Sequence, residues 1–210
     1  FNGDLSNWNV SSVTNMNRMF YGSMIFNSDL SLWDVSSVTN MSEIFSGAEA
    51  FNSDLSSWNV SNVSDMSRMF KWAIEFNSDL SNWDVSNVTS LNGTFSGAKA
   101  FNQNLNNWDV SNVTNLGGVF GYASSFDQPL NNWDVSNVVD FHAAFTATPF
   151  NQPLNNWDVS QVTNMNRMFL EASAFNGEVG MWNVGRVAQT KEMFAYATAF
   201  NRDLSTWDVS

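Results

Sequence analysis

One spacing constrains this chain more than its composition does. A Phe-Asn pair, Phe-Asp once, opens copies of a repeat at Phe1, Phe26, Phe51, Phe76, Phe101, Phe126, Phe150, Phe175 and Phe200, a step of 25 residues broken once by a step of 24. Eight copies are complete and a ninth stops at Ser210. A unit of this length cannot bury an apolar face alone, so successive units stack and share a core. Residues 1–210 are therefore expected to form a single repeat domain, and a sequence opening on Phe1 and stopping inside a repeat reads as a piece of a longer array.

Counting columns from that phenylalanine, column eight is tryptophan in every copy: Trp8, Trp33, Trp58, Trp83, Trp108, Trp133, Trp157, Trp182 and Trp207. The other steady apolar columns are Leu5, Val10, Val13, Met16 and Phe20 in the first copy, and Leu154, Val159, Val162, Met165 and Phe169 in the seventh. Together they make an inward-facing set. Leu5-x-x-Trp8-x-Val10 has strand-like alternation and predicts a short parallel strand near columns seven to ten. From Val13 to Phe20 the apolar residues fall at 13, 16, 19 and 20, which suits one face of a short helix with Thr14 or Ser11 as its N-cap. Gly22, Gly47 and Gly97 stand where such a helix would end in the left-handed conformation. The expected fold is an α/β repeat solenoid, leucine-rich-repeat-like, with one short parallel β-strand and one short helix or 3₁₀ turn per 25-residue coil.

The repeat resembles that of the BspA-like leucine-rich-repeat surface proteins of the DUF285 type, F-N-x-D-L-S-x-W-D-V-S-x-V-T-x-M-x-x-M-F-x-G-A. Phe76 to Thr94 follows it almost throughout, and the resemblance extends over all 210 residues. It implies a cell-surface or secreted repeat protein with an adhesive role and no assigned activity, and it implies no particular ligand. Two copies depart from the pattern. Copy six lacks one residue and ends on Pro149, which predicts a tightened return loop, and copy eight loosens the consensus at Val179, Gly180, Met181 and Thr190.

Twenty acidic against eight basic residues give a net charge of -12, the wrong sign for nucleic acid or for an anionic membrane surface. No run of 18 apolar residues offers a membrane span, so no direct membrane insertion is expected. The chain has no cysteine and a single histidine, His142, so no nucleophile–base pair or histidine metal cluster can be assembled. An enzyme, a cofactor and a metal site are accordingly not expected.

Four columns carry candidate contacts. Column two holds Asn2, Asn27, Asn52, Asn77, Asn102, Asn151, Asn176 and Asn201, with Asp127 in the sixth copy, and is read as a structural ladder together with the tryptophan column. Column nine includes Asp84, Asp109, Asp134 and Asp158, an outward file of like charge. Two readings are open for it: each carboxylate caps the backbone two residues on, or the file attracts a cation or a basic partner, Ca²⁺ included. Column 22 holds Trp72, Tyr122 and Tyr196 where glycine stands in other copies, so the repeat does not require them and they are candidate ligand contacts. In column 18, Arg18, Glu43 and Arg68, and later Arg167 and Glu192, are spaced for ion pairs between successive coils.

The leading functional expectation is an extracellular or cell-surface recognition module that presents its outward strand face to a protein or glycan. A structural spacer or filament whose open ends stack on one another is the alternative, with a Ca²⁺-binding or ice-binding array behind both.

Overall fold

The computed structural model describes residues 1–208; Val209 and Ser210, and with them the end of the ninth copy, lie outside the described residues. The repeats stack in register, but the coils are neither helical nor stranded, which corrects the α/β expectation. Among the described residues there is no helix, and the only β pairing is a file of isolated parallel bridges through column 15, from Asn15↔Asn40 to Asn164↔Gln189. The strand expected at columns seven to ten is absent there, and the leucine-rich-repeat comparison falls with it.

Each coil is a string of tight turns. In the first coil the amides of Trp8, Val13, Met19, Tyr21, Ser23 and Phe26 each donate to the carbonyl three residues back. Between columns 16 and 22 the intervening amides go elsewhere. Met16, Arg18, Phe20 and Gly22 donate to the carbonyls of Asn40, Ser42, Ile44 and Ser46 of the next coil, at 2.9, 3.1, 2.9 and 2.7 Å. Odd amides thus close turns within a coil and even amides tie it to its neighbour. An α-helix would spend every one of these amides on a carbonyl four residues back and leave none for the next coil.

Backbone dihedrals enforce this alternation. Column 18 is left-handed in Arg18, Glu43, Arg68, Gly93, Gly118, Ala143, Arg167 and Glu192, and column 22 is left-handed in Gly22, Gly47, Trp72, Gly97, Tyr122, Ala147, Glu171 and Tyr196. A left-handed residue every fourth position ends any right-handed helix before it completes a turn. The sequence reading placed column 22 correctly in that conformation, but it follows a turn and ends no helix.

Side chains complete what the turns leave open. The tryptophan column is core: Trp33 to Trp182 are buried and Trp207 is half-buried, while Trp8 is exposed. Each indole N–H donates to the column-five carbonyl of the preceding coil, as in Trp58 to Leu30 and Trp83 to Leu55 at 3.0 Å and Trp133 to Leu105 at 2.9 Å. That carbonyl also accepts the backbone amide of its own tryptophan, as Leu55 does from Trp58, so the indole supplies its second bond from the coil above. In column two each side-chain oxygen accepts the column-two amide of the next coil, from Asn27 on Asn2 to Asn201 on Asn176. Asp127 does the same for Asn151; the column needs an acceptor oxygen and not an amide.

Phenylalanines of columns 20 and one interleave beside the indoles. Phe45 lies 3.9 Å from Phe51 and 5.7 Å from Phe70, and Phe51 lies 5.9 Å from Phe76. Equivalent indoles stand 6.4 to 6.5 Å apart, with rings within a few degrees of parallel over Trp33, Trp58, Trp83 and Trp108. Equivalent phenylalanines of column 20 stand 5.6 to 5.7 Å apart from Phe20 to Phe120. Separation therefore grows from column 20 toward the tryptophans, which puts the bonded columns 15 to 22 on the narrower, inner edge of the stack. In coil 6 the missing residue removes the turn that closes the other coils, such as Phe126 on Ala123 at 3.0 Å, and Phe141 packs on Trp157 at 5.3 Å.

Candidate functional site

Column 22 on the inner edge is where the repeat leaves most room. Its left-handed backbone aims a side chain outward, so the residue there decides whether the surface is filled or hollow. Gly97 is covered: a Cβ built on it would lie 2.3 Å from the indole of Trp72. That indole also stacks toward Tyr122, with centroids 6.1 Å apart and rings inclined by 25°. Gly22 and Gly47 are left uncovered. Over them opens a cleft of about 460 Å³, bounded by Trp72 at one end and by Arg18, Tyr21, Met24, Glu43, Glu49, Arg68 and Lys71 along its sides.

Column 18 supplies the charged wall. The same left-handed geometry sets Arg18, Glu43 and Arg68 side by side on successive coils. Arg18 grips Glu43 with both arms, Nε to Oε2 at 2.8 Å and Nη2 to Oε1 at 3.2 Å, while Arg68 Nη1 reaches Oε1 at 3.4 Å. Its hydrogen bond from Arg18 and then the charges of Arg18 and Arg68 hold the Glu43 carboxyl below the ordinary glutamate range, against a partial loss of hydration. The Arg18 guanidinium, raised in turn by Glu43, lies 5.4 Å from the centre of the Tyr21 ring. Three cations against two carboxylates leave the cleft locally positive on a chain whose net charge is -12.

The other predicted contacts lie apart from this cleft. Asp84, Asp109, Asp134 and Asp158 are exposed, and each accepts the backbone N–H of the serine two residues on at 3.0 to 3.1 Å. Asp84 and Asp109 accept the serine hydroxyl as well, both at 2.6 Å. These serine bonds lower the carboxyl of Asp84, by the hydroxyl first, and that of Asp158, by the backbone amide first. Because the coils are spread to 6.5 Å at the adjacent tryptophans, the like-charge repulsion along this file is weaker than a 4.8 Å spacing would give. Among the described residues no group of three or more His, Cys, Asp and Glu converges to hold a metal ion. Tyr122 meets Trp72 across Gly97, whereas Tyr196 stands alone and exposed three coils on. His142 is exposed, and its backbone amide is capped by Asp140.

Sequence reasoning singled out Trp72 and the column-18 ion pairs but not the cleft between them. Gly22 and Gly47 had been read only as helix ends; the signal available was that two consecutive copies lack a side chain in a column that elsewhere tolerates tryptophan and tyrosine.

A family described as Mycoplasma protein of unknown function, DUF285, matches residues 1–104, 54–152 and 131–210. The chain belongs to the DUF285 family. That membership agrees with the resemblance read from the repeat and brings no activity with it. No curated protein matches the chain. As a DUF285 repeat array it has no helix, among the described residues, long and apolar enough to cross a membrane.

Proposed function

We propose that this chain is an extracellular recognition module that holds its ligand, a protein or a glycan, in the cleft over coils 1 to 3. One observation carries this reading. Column 22 is glycine in three of the first four coils, and where Trp72 lies over Gly97 the surface is closed, whereas over Gly22 and Gly47 it stays hollow beside exposed charged and aromatic groups. Clefts of 300 to 1,000 Å³ with a few convergent polar groups are the usual form of a small-ligand site.

The fold itself provides the test variant. A Cβ on Gly22 meets nothing within 4 Å, and Tyr122 and Tyr196 already occupy the same column at φ of 62° and 59°. Gly22→Tyr should therefore fill the cleft and leave the coil intact. On arrays of extracellular proteins and glycans, the spots bound by the native chain should be lost by Gly22→Tyr, which still unfolds cooperatively with a melting temperature lowered only by the strain of a left-handed tyrosine. Retention of every spot by the filled variant would remove the cleft as the recognition site.

A further inference from the structure

We propose that the cleft takes a saccharide bearing a single carboxylate, a terminal acidic sugar. This rests on the cleft being the recognition site and adds the class of ligand. The three cations of the cleft differ in what they already hold. Arg18 is spent, bidentate on Glu43 and set against Tyr21. Arg68 uses one N–H in a single long contact of 3.4 Å, although a guanidinium carries five. The Lys71 ammonium has no side-chain partner among the described residues, although its backbone carbonyl is bonded by Gly47. Arg68 and Lys71 thus border the cleft with unused donors, and a carboxylate between them would take the planar, charge-assisted bonds that guanidinium favours.

The shape of the cleft favours a sugar over an acidic peptide. Trp72 is braced from coils 4 and 5 by Gly97 and Tyr122 and closes the cleft from that end as a rigid aromatic wall, 41% exposed. Most of the groups around it are charged or hydrogen-bonding, with the exposed side chains of Tyr21 and Met24 among them. A pyranose has an apolar C–H face for the indole and a hydroxyl rim for groups such as Glu49. The number of charges follows from the rest of the molecule. Attraction by Arg68 and Lys71 acts within a Debye length of about 8 Å at physiological salt, whereas a polyanion must also run past an acidic surface that repels it.

Calorimetric titration of the native chain in low salt, with oligosaccharides ending in sialic, glucuronic or galacturonic acid and with the neutral counterpart of each, tests this. At least one acidic member should bind tenfold or more tightly than its neutral counterpart, and weaken as salt is raised. Arg68→Gln should lower that affinity tenfold or more at an unchanged melting temperature, and Gly22→Tyr should abolish it while the chain still unfolds cooperatively at a slightly lowered one. Equal binding of the neutral counterpart would overturn the acidic class while leaving the cleft in place. Binding of an acidic oligosaccharide untouched by Gly22→Tyr would overturn the cleft itself. Heat from none of the acidic sugars, or tighter binding of heparin or of a glutamate-rich peptide, would overturn the proposal.

Discussion

At the scale of single residues, the tryptophan column shows why one side chain can be fixed through nine copies. Each indole from Trp33 to Trp182 fills the core and also supplies the second bond to a carbonyl of the coil before it, as Trp108 does to Leu80 at 3.0 Å. The two contributions separate by substitution. Trp108→Ala should cost about 3 to 5 kcal/mol of unfolding free energy, the usual loss for an emptied buried aromatic site. Trp108→Phe should retain part of the packing but leave the Leu80 carbonyl short of its bond, with a further cost of about 1 kcal/mol. Urea unfolding of the three chains checks both, and equal stability of Trp108→Ala and the native chain would show the column to be surface. Glu43 gives a pH signature. Its pKa is depressed in the folded chain, so its contribution to stability is present above the ordinary glutamate value of about 4.5 and lost as pH falls through the lowered one. Thermal melts of Glu43→Gln and native protein should therefore differ at pH 7 and converge in acid; a gap that widens below pH 4 would reverse the assignment.

At the scale of the coil, the inward set was legible and the secondary structure was not. Leu55, Trp58, Val60, Val63, Met66, Met69 and Phe70 are all buried, as the apolar columns foretold. Apolar residues at 13, 16, 19 and 20 fit a helical face, but a string of turns with left-handed residues at columns 18 and 22 places the same columns inward, so periodicity alone cannot separate the two. Column 18 held the missing signal. Gly93 and Gly118 sit in the middle of the supposed helix, where glycine is a poor former, and in a left-handed turn they are at ease. A substitution there discriminates by sign. Gly118→Ala would stabilise a helix by about 1 kcal/mol, whereas at φ 65° it should destabilise by about 1 kcal/mol and still fold, since Ala143 accepts the same conformation at φ 53°. Denaturant melts decide it. The candidate site was legible only in part for a related reason. Trp72 stood out because it breaks the repeat, but the cleft arises from side chains that are absent at Gly22 and Gly47 and from a backbone geometry that the sequence did not disclose.

At the scale of the whole molecule, cohesion comes from ties between neighbouring coils. Columns two, three, 12 and 14 and the even columns from 16 to 22 all send bonds to an adjacent coil, through side chains such as Ser53 on Ser28 at 2.8 Å and Asn87 on Ser61 at 2.7 Å as well as through the backbone. Among the described residues no buried side-chain nitrogen or oxygen lacks a hydrogen-bond partner. A stack bonded on one edge and spread by indoles on the other has a narrow inner edge, and the cleft lies there because column 22 does. All of this depends on the even amides of columns 16 to 22 reaching the next coil, and scalar coupling across a hydrogen bond in solution NMR reads that directly. The Phe45 amide donates to the Met69 carbonyl at 2.9 Å, so a coupling from the nitrogen of Phe45 to the carbonyl carbon of Met69, 24 residues ahead, is expected. A coupling from Phe45 to the carbonyl of Met41, four residues back, would restore the helix and contradict the stacked turns.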